Sequence, residues 1–178
     1  LASMTTRTES IELLAAQAMA LAQADRIDEG RAMLTAEIEQ RTADEALPYR
    51  RALVRLLDVA ETDDAKEAAI ALSDDYPESG AAQLGALRTR AIWDDLDAAR
   101  LAISRLRSAV GEESLAWQTF NARATIEGEP TDEELSRILT EELGRLLSEA
   151  PDDFDALMLT ARAYRIIASR HAAAGRED

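Results

Sequence analysis

The side chains best suited to chemistry in this sequence are one histidine and several paired carboxylates. His171 is the only histidine, which excludes a multi-histidine metal site in this chain, and no serine is placed by sequence to use it. The paired carboxylates fall mostly where helices are expected to begin or turn; they are Asp63 and Asp64, Asp74 and Asp75, Asp94 and Asp95, Glu141 and Glu142, and Asp152 and Asp153. A carboxylate at a helix start accepts hydrogen bonds from free backbone amides and interacts favourably with the helix dipole. The pattern therefore indicates helix capping.

Other reactive groups are scarce. The sequence contains no cysteine, which excludes disulfides, thiolate metal sites and cysteine nucleophiles. A calcium loop needs oxygen ligands at alternating positions around a glycine, and no segment has that pattern. We therefore expect no catalytic residue, no metal and no cofactor. A helical enzyme stays open as an alternative, because a closed cavity holding two carboxylates would support acid–base catalysis.

The charge is strongly acidic, at −15 in 178 residues, and the twenty cations are nineteen arginines and Lys66. A nucleic-acid partner is not expected, because such proteins need a basic face that displaces counterions from phosphates. An anionic membrane surface would also repel the chain, and no apolar run approaches the ~20 residues of a membrane span. The charge can steer a basic partner, and the same composition is typical of a high-GC or salt-adapted bacterial source.

The beginning of the chain is polar and lacks the apolar core of a signal peptide, so a cytoplasmic location is predicted. Leu1, Ala2 and Ser3 resemble a vector remnant before a native start at Met4. If Met4 is instead internal, a removed export signal would place the protein in the periplasm or outside the cell. Residues 1–8 are predicted to be disordered and residues 172–178 to form a flexible tail.

Apolar residues recur at intervals of three and four, the helical period, and alanine and leucine supply most of them. An all-α fold follows, with no competing strand pattern and a single repeat array over residues 9–171. Gly111 is predicted to end a helix in the left-handed conformation, and Thr131 with Glu134 to form a capping box. Nine helices are predicted, over residues 9–24, 27–41, 46–60, 63–75, 80–93, 96–109, 113–127, 131–149 and 153–171.

The chain also repeats internally. A shift of 34 residues places one set of residues on another: Asp63, Ala65, Ala68 and Leu72 on Asp97, Ala99, Ala102 and Leu106. A repeat of this period indicates stacked helical hairpins, since a single hairpin cannot bury its own apolar stripe and neighbours must cover it. Small residues then recur where two helices cross closely.

With these features the chain resembles the tetratricopeptide repeat family. The matching residues are Leu157, Ala161 and Tyr164 in one first helix, Trp117, Phe120 and Ala124 in another, the turn from Asp94 to Ala99, and the closing prolines Pro77 and Pro151. The resemblance covers nearly the whole chain, as four hairpins plus one helix, and implies a right-handed α-α superhelix. Departures are Leu53, Leu87 and Asn121 at usually small positions, and Gly30 in place of alanine. A related solenoid or an irregular bundle stays open.

The resemblance implies a non-catalytic scaffold that binds a peptide or helix of another protein on a concave wall. The residues assigned to this wall are Arg50, Val54, Leu57, Leu84, Arg88, Gln118, Ala122, Arg162 and Arg165. Arg50, Arg88 and Arg162 would form a cationic track for an acidic peptide, because arginine binds a carboxylate with two hydrogen bonds. Alternatively, they pair with neighbouring acidic residues. Asn121 is expected to point at a neighbouring helix, and no lysine and asparagine set for a chaperone's terminal carboxylate is present.

The last helix carries more apolar surface than one neighbouring hairpin would cover, and such patches often mark interfaces. Its candidate contacts are Leu157, Tyr164, Ile166 and Ile167. This supports a second hypothesis, in which the chain is a structural or assembly subunit, or part of a larger repeat protein, that oligomerises through its terminal helices, for example as a homodimer. Among the aromatic residues, Phe154 and Tyr76 are expected to be the most exposed.

Overall fold

Helices form nearly all of the regular structure in this computed structural model, which describes residues 2–175, with side chains from residue 11 onward. They are α1 Ala2–Gln23, α2 Ile27–Glu39, α3 Ala43–Val59, α4 Ala65–Asp75, α5 Gly80–Leu87, α6 Leu96–Val110, α7 Leu115–Glu127, α8 Asp132–Arg137, α9 Leu143–Glu149 and α10 Phe154–Ala174. A π-helical turn, Ile138–Glu142, joins α8 and α9 into one continuous helix. The all-α class and the nine helices are therefore confirmed, without any strand in the described residues. Residues 1 and 176–178 of the predicted ends lie outside this description.

The fifth helix ends six residues earlier than predicted. Beyond Leu87, the hydroxyl of Thr89 donates to the carbonyl of Ala86 at 2.7 Å. The backbone amide of Arg90 donates to the Asp58 carboxylate, also at 2.7 Å, instead of continuing the helical pattern. A short 3₁₀ turn, Ala91–Asp94, follows. Because hydrogen bonds with side chains replace the helical ones here, the chain turns before α6 begins.

The chain divides into two compact units, of which the first comprises residues 1–98. In this unit α1, α2 and α3 pack consecutively through short turns, and α4 packs on both α3 and α5. Short connections between packed helices make each neighbouring pair antiparallel. A core of Ala18, Leu34, Tyr49 and Leu56 lies among the first three helices.

Gly30 occupies the closest crossing in this unit. A Cβ atom added to Gly30 would lie 2.8 Å from the backbone carbonyl oxygen of Ala18. Ala18 is itself fully buried. The repeat pattern expects a small residue at this position, and glycine stands where alanine is usual. The contact explains the departure, because even a methyl group would meet rigid backbone across the α1–α2 interface.

A buried polar cluster joins α4 to α5. The Gln83 side chain is fully buried, donates to the carbonyls of Ser73 and Tyr76 at 3.1 and 2.9 Å, and accepts from the Ser73 hydroxyl at 2.6 Å. The Tyr76 hydroxyl donates to the carbonyl of Ala43 at 2.6 Å. The prediction that Tyr76 is exposed is therefore wrong, because its ring is buried and its hydroxyl has a partner in α3.

The second unit comprises residues 99–178, and α10 packs there on α7, α8 and α9. Its core holds Ala122, Ile126, Leu135, Ile138, Leu143, Leu146, Ala156, Leu159 and Ala163. Gly111 ends α6 with a φ of 84°, as predicted. The capping box is also present: the backbone amide of Glu134 donates to the Thr131 hydroxyl, and the Glu134 carboxylate accepts from the Thr131 amide at 2.7 Å.

Removal of this cap gives a first prediction. Thr131→Ala is expected to lower the free energy of unfolding by about 1 kcal/mol at neutral pH. Hydrogen bonds from the backbone and hydroxyl of Thr131 lower the pKa of Glu134. The stabilisation from that carboxylate is therefore complete above its unfolded pKa and is lost as the pH falls through the lower folded value. Urea titrations of both proteins at several pH values should show the difference shrinking in acid; a constant difference would contradict this account.

Candidate functional site

Five residues of the predicted concave wall lie in the first unit, and two of them are buried. Val54 and Leu57 are only 4% and 2% exposed, so they belong to the core and no ligand on the surface can reach them. Leu84 is half-buried and Arg88 is exposed. Arg50 forms an ion pair with Asp75 and lies 5.6 Å from the centre of the Tyr76 ring, so its charge is already matched.

The other four wall residues lie in the second unit. Gln118 and Ala122 are buried, which removes them from any open surface. Arg162 is exposed but forms two hydrogen bonds with the Glu127 carboxylate. Arg165 is exposed. For Arg50 and Arg162 the observed contacts are those of the alternative hypothesis, in which arginines pair with acidic neighbours.

The second unit contains an open groove of about 510 Å³ along α7, which we call the α7 groove. Its floor is one face of α7, with Trp117, Asn121 and Thr125 at intervals of four residues. Its walls come from α6 and from the start of α8. The remaining lining residues are Arg100, Ile103, Ser104, Arg107, Ala124, Gly128, Glu129, Pro130, Glu134 and Arg137.

Trp117 and Arg107 form a contact at one end of the groove. The Arg107 guanidinium lies 5.7 Å from the centre of the indole ring, a distance at which a cation is attracted to the ring face. Arg107 also pairs with Glu112 at the end of α6. The arginine is thereby held beside an aromatic surface, with the indole half-buried.

Asn121 on the floor of the groove and Arg137 on its wall contact the same carboxylate, that of Glu142. The Asn121 amide donates to Glu142 at 3.4 Å, and Arg137 pairs with the same carboxylate at 3.0 Å. The carbonyl oxygen of the Asn121 side chain accepts no hydrogen bond from the described residues. An asparagine amide can both donate and accept, so this side chain can bond the backbone of an extended ligand.

Three arginines thus line the α7 groove in a chain of net charge −15. Arg100, Arg107 and Arg137 offer donors for carboxylates, and Trp117 offers a large apolar surface. Tryptophan and arginine are the residue types most enriched among energetically important contacts of protein interfaces. No group of three or more metal-ligating side chains occurs in residues 11–175. None of the helices in the described part of the chain is long and apolar enough to cross a bilayer.

The α7 groove was not found from sequence because the orientation of α7 was assigned one residue away. The repeat pattern placed Gln118 and Ala122 on the open side, whereas the structure places Trp117 and Asn121 there. A shift of one residue along a helix changes the direction of the side chain by about 100°. An error of one residue in the assignment therefore exchanges the buried face of α7 for its partly open face. A signal was present in the spacing of Arg100, Ser104 and Arg107, which share one face of α6.

The four predicted oligomer contacts separate onto two faces of α10. Leu157 and Tyr164 are 45% and 60% exposed. Ile166 and Ile167 are half-buried and pack against the core of the second unit. A charge at Ile166 would therefore disturb folding as well as any interface. Comparison with known proteins finds no matching family model, no matching curated protein and no matching solved structure.

Proposed function

We propose that this chain is a non-catalytic protein-interaction module that binds a carboxylate-bearing peptide or helix of another protein in the α7 groove. The observation that carries the proposal is the combination of Trp117, Asn121 and three arginines on one open surface of an acidic chain. An aromatic anchor, an amide for backbone contacts and cationic walls are the elements of peptide recognition.

An acidic ligand fits this groove better than a basic one. The arginines of the walls can each form two hydrogen bonds with a carboxylate. Of the two lining carboxylates, Glu134 is engaged with Thr131 in the capping box, where its lowered pKa favours the ionised acceptor form. Glu129 is exposed. Arg107 and Arg137 already pair with Glu112 and Glu142, but about half of each arginine side chain is exposed. Exposed ion pairs of this kind are weak, so a ligand carboxylate can share or replace these partners.

A catalytic role has less support. The sole histidine, His171, is exposed in the last turn of α10 and does not line the α7 groove. General acid–base chemistry requires a titratable group within hydrogen-bond reach of the reacting atoms in a sheltered site. The groove is open to solvent rather than enclosed, and the Glu134 carboxylate that lines it serves as part of a helix cap.

The tetratricopeptide-like superhelix is part of the same proposal. Support comes from consecutive antiparallel helices joined by short turns within the first unit and from small buried residues at helix crossings, such as Ala18 and Gly30. Stacked hairpins expose one face of a helix between its neighbours. The α7 groove has this form, with a helix face as its floor and flanking helices as its walls.

The test starts from ligands selected on the protein itself. Peptides enriched from a random displayed library should be acidic, and their affinity is measured by fluorescence anisotropy. Trp117→Ala and Arg107→Glu are each expected to weaken binding at least about tenfold, because they remove the aromatic anchor and reverse a wall charge.

Arg88→Glu is the matched control, since it makes the same charge change on an exposed residue of the first unit. It should leave binding within about twofold of the unmodified protein, a difference of less than 0.5 kcal/mol. Circular dichroism confirms that each variant keeps its helicity. If Arg88→Glu abolished binding and Arg107→Glu did not, the originally predicted wall would be the site. A library that enriches no acidic sequence would reject the α7 groove as an acidic-peptide site.

A further inference from the structure

The outer face of α10 concentrates the exposed apolar surface of the described residues. Eight large apolar side chains are exposed in residues 11–175, and four of them lie within eleven residues of this helix: Phe154, Leu157, Met158 and Tyr164. Phe154 is 71% exposed. The other four, Leu13, Val59, Leu101 and Val110, are spread over three other helices. A concentrated apolar patch of this kind marks an interface, whereas scattered exposed residues do not.

The patch is a continuous stripe opposite the side of α10 that packs on its own unit. The inner side is formed by Ala156, Leu159 and Ala163, all buried. The outer stripe recurs at intervals of three and four residues, the spacing along which a second helix can lie. It comprises Phe154, Leu157, Met158, Ala161, Tyr164, Arg165 and Ala168, all exposed. The helix spans 21 residues, about 30 Å in length.

We propose that this stripe pairs with α10 of a second copy of the chain, with the two helices antiparallel and the two-fold axis beside Ala161. In this register Phe154 lies opposite Ala168 of the other copy, and Leu157 lies opposite Tyr164. Large side chains therefore face small or flat ones, which lets the two stripes interdigitate. A closed two-fold pair is the commonest form of homo-oligomer, and its contacts are reciprocal.

Charge complementarity selects the antiparallel arrangement. Acidic residues lie at the beginning of α10, as Asp153 and Asp155, and basic residues lie in its second half, as Arg165 and Arg170. Antiparallel pairing brings Arg165 of one copy beside Met158 and Asp155 of the other, whereas a parallel pair would align like charges. Asp155 interacts electrostatically with Arg123 of its own chain, but both Asp155 and Arg165 are exposed, so a second copy can contact them.

The stripe is large enough for such a pair. Large side chains offer roughly 150–250 Å² each, and the exposed fractions of the four apolar residues run from 45% to 71%. Together they supply on the order of 450 Å² per copy, or about 900 Å² for two copies. Ala161, Ala168 and the aliphatic part of Arg165 raise the total above the ~1,000 Å² expected of a specific interface.

The first experiment measures the mass of the full chain by sedimentation equilibrium over a wide concentration range. A reversible dimer is expected, and Tyr164→Glu should weaken it at least about a hundredfold, because the charge would be buried opposite Leu157. Leu13→Glu, which replaces an equally exposed leucine in α1, should leave the dimer unchanged. A chain that stays monomeric at the highest concentration would overturn the proposal.

The second experiment tests the register. Asp155→Arg and Arg165→Asp should each weaken the dimer about tenfold. Because the pair is two-fold symmetric, each substitution places like charges in contact at both ends of the helix pair. The double variant restores opposite charges and should recover most of the original affinity. Thermal unfolding of each variant separates lost pairing from lost folding, because Asp155 also interacts with the half-buried guanidinium of Arg123 in its own chain. A dimer that the double variant does not restore would reject the antiparallel register. Peptide binding in the α7 groove does not involve these residues, so the two proposals can fail separately.

Discussion

Replacement of Gln83 by leucine is expected to lower the free energy of unfolding by about 3 kcal/mol. The side chain is fully buried and makes three hydrogen bonds, to the hydroxyl and carbonyl of Ser73 and to the carbonyl of Tyr76. Leucine fills a similar volume but satisfies none of these groups. The Ser73 hydroxyl would lose this acceptor, and the carbonyls of Ser73 and Tyr76 would lose this donor, where a buried polar group left unsatisfied costs roughly 1–3 kcal/mol. Urea unfolding, followed by the fluorescence of Trp93, measures the loss.

Gln118 provides the matched control in the second unit. It is also buried, and its amide donates to the carbonyl of Glu112 at 3.0 Å. Its side-chain oxygen, however, accepts no hydrogen bond from the described residues. Gln118→Leu is therefore expected to cost only about 1 kcal/mol. Equal losses in the two variants would show that volume and packing, rather than the hydrogen bonds of Gln83, determine the effect.

Local interactions account for the part of this fold that the sequence predicts correctly. Helices follow from apolar periodicity and from residues with high helix propensity. Two of these local signals are Gly111, which ends a helix, and the capping box of Thr131 with Glu134. Each acts within one helical turn of its own position, so its role can be identified from the neighbouring residues in the sequence. The predicted end of the seventh helix at residue 127 also agrees with the observed end of α7 at Glu127.

The features that were missed depend on residues far apart in the chain. The early end of α5 uses the Asp58 carboxylate, 32 residues before Arg90. The burial of Tyr76 depends on the carbonyl of Ala43, 33 residues away. Neither partner is marked by a motif, because any nearby carboxylate or carbonyl oxygen would serve. A sequence pattern can place an aromatic residue beside a turn without showing which distant part of the chain packs on its ring.

Charge composition is similarly incomplete as a guide to the binding surface. Arg50, Arg107 and Arg162 are the same residue type and each pairs with a carboxylate, yet Arg107 also lies beside an indole ring and lines the α7 groove. The position of an arginine on a concave surface depends on the packing of its helix, which the residue type alone does not show. The candidate site therefore came from the packing of α6, α7 and α8, which the repeat pattern did not determine to within one residue.

Gly30→Leu is expected to destabilise the first unit by about 3 kcal/mol or more, because the new side chain overpacks the crossing of α1 and α2. Even the Cβ atom would lie 2.8 Å from the carbonyl oxygen of Ala18, and backbone cannot move aside as a side chain can. Gly30→Ala should lose about 1–2 kcal/mol, since the clash outweighs the gain of about 1 kcal/mol that alanine brings to a helix interior. Thermal and urea unfolding measure both losses.

Gly85 distinguishes this steric account from a general effect of glycine substitution. It lies inside α5, where the atoms nearest to an added Cβ would belong to the side chains of Arg51 and Leu72, each at 3.1 Å. These side chains can shift, so Gly85→Ala should be neutral or stabilising by up to about 1 kcal/mol. The two alanine variants thus have opposite expected signs for the same chemical change. A stabilising Gly30→Ala would mean that α1 and α2 can separate at little cost, and that their close crossing does not fix the packing of the unit.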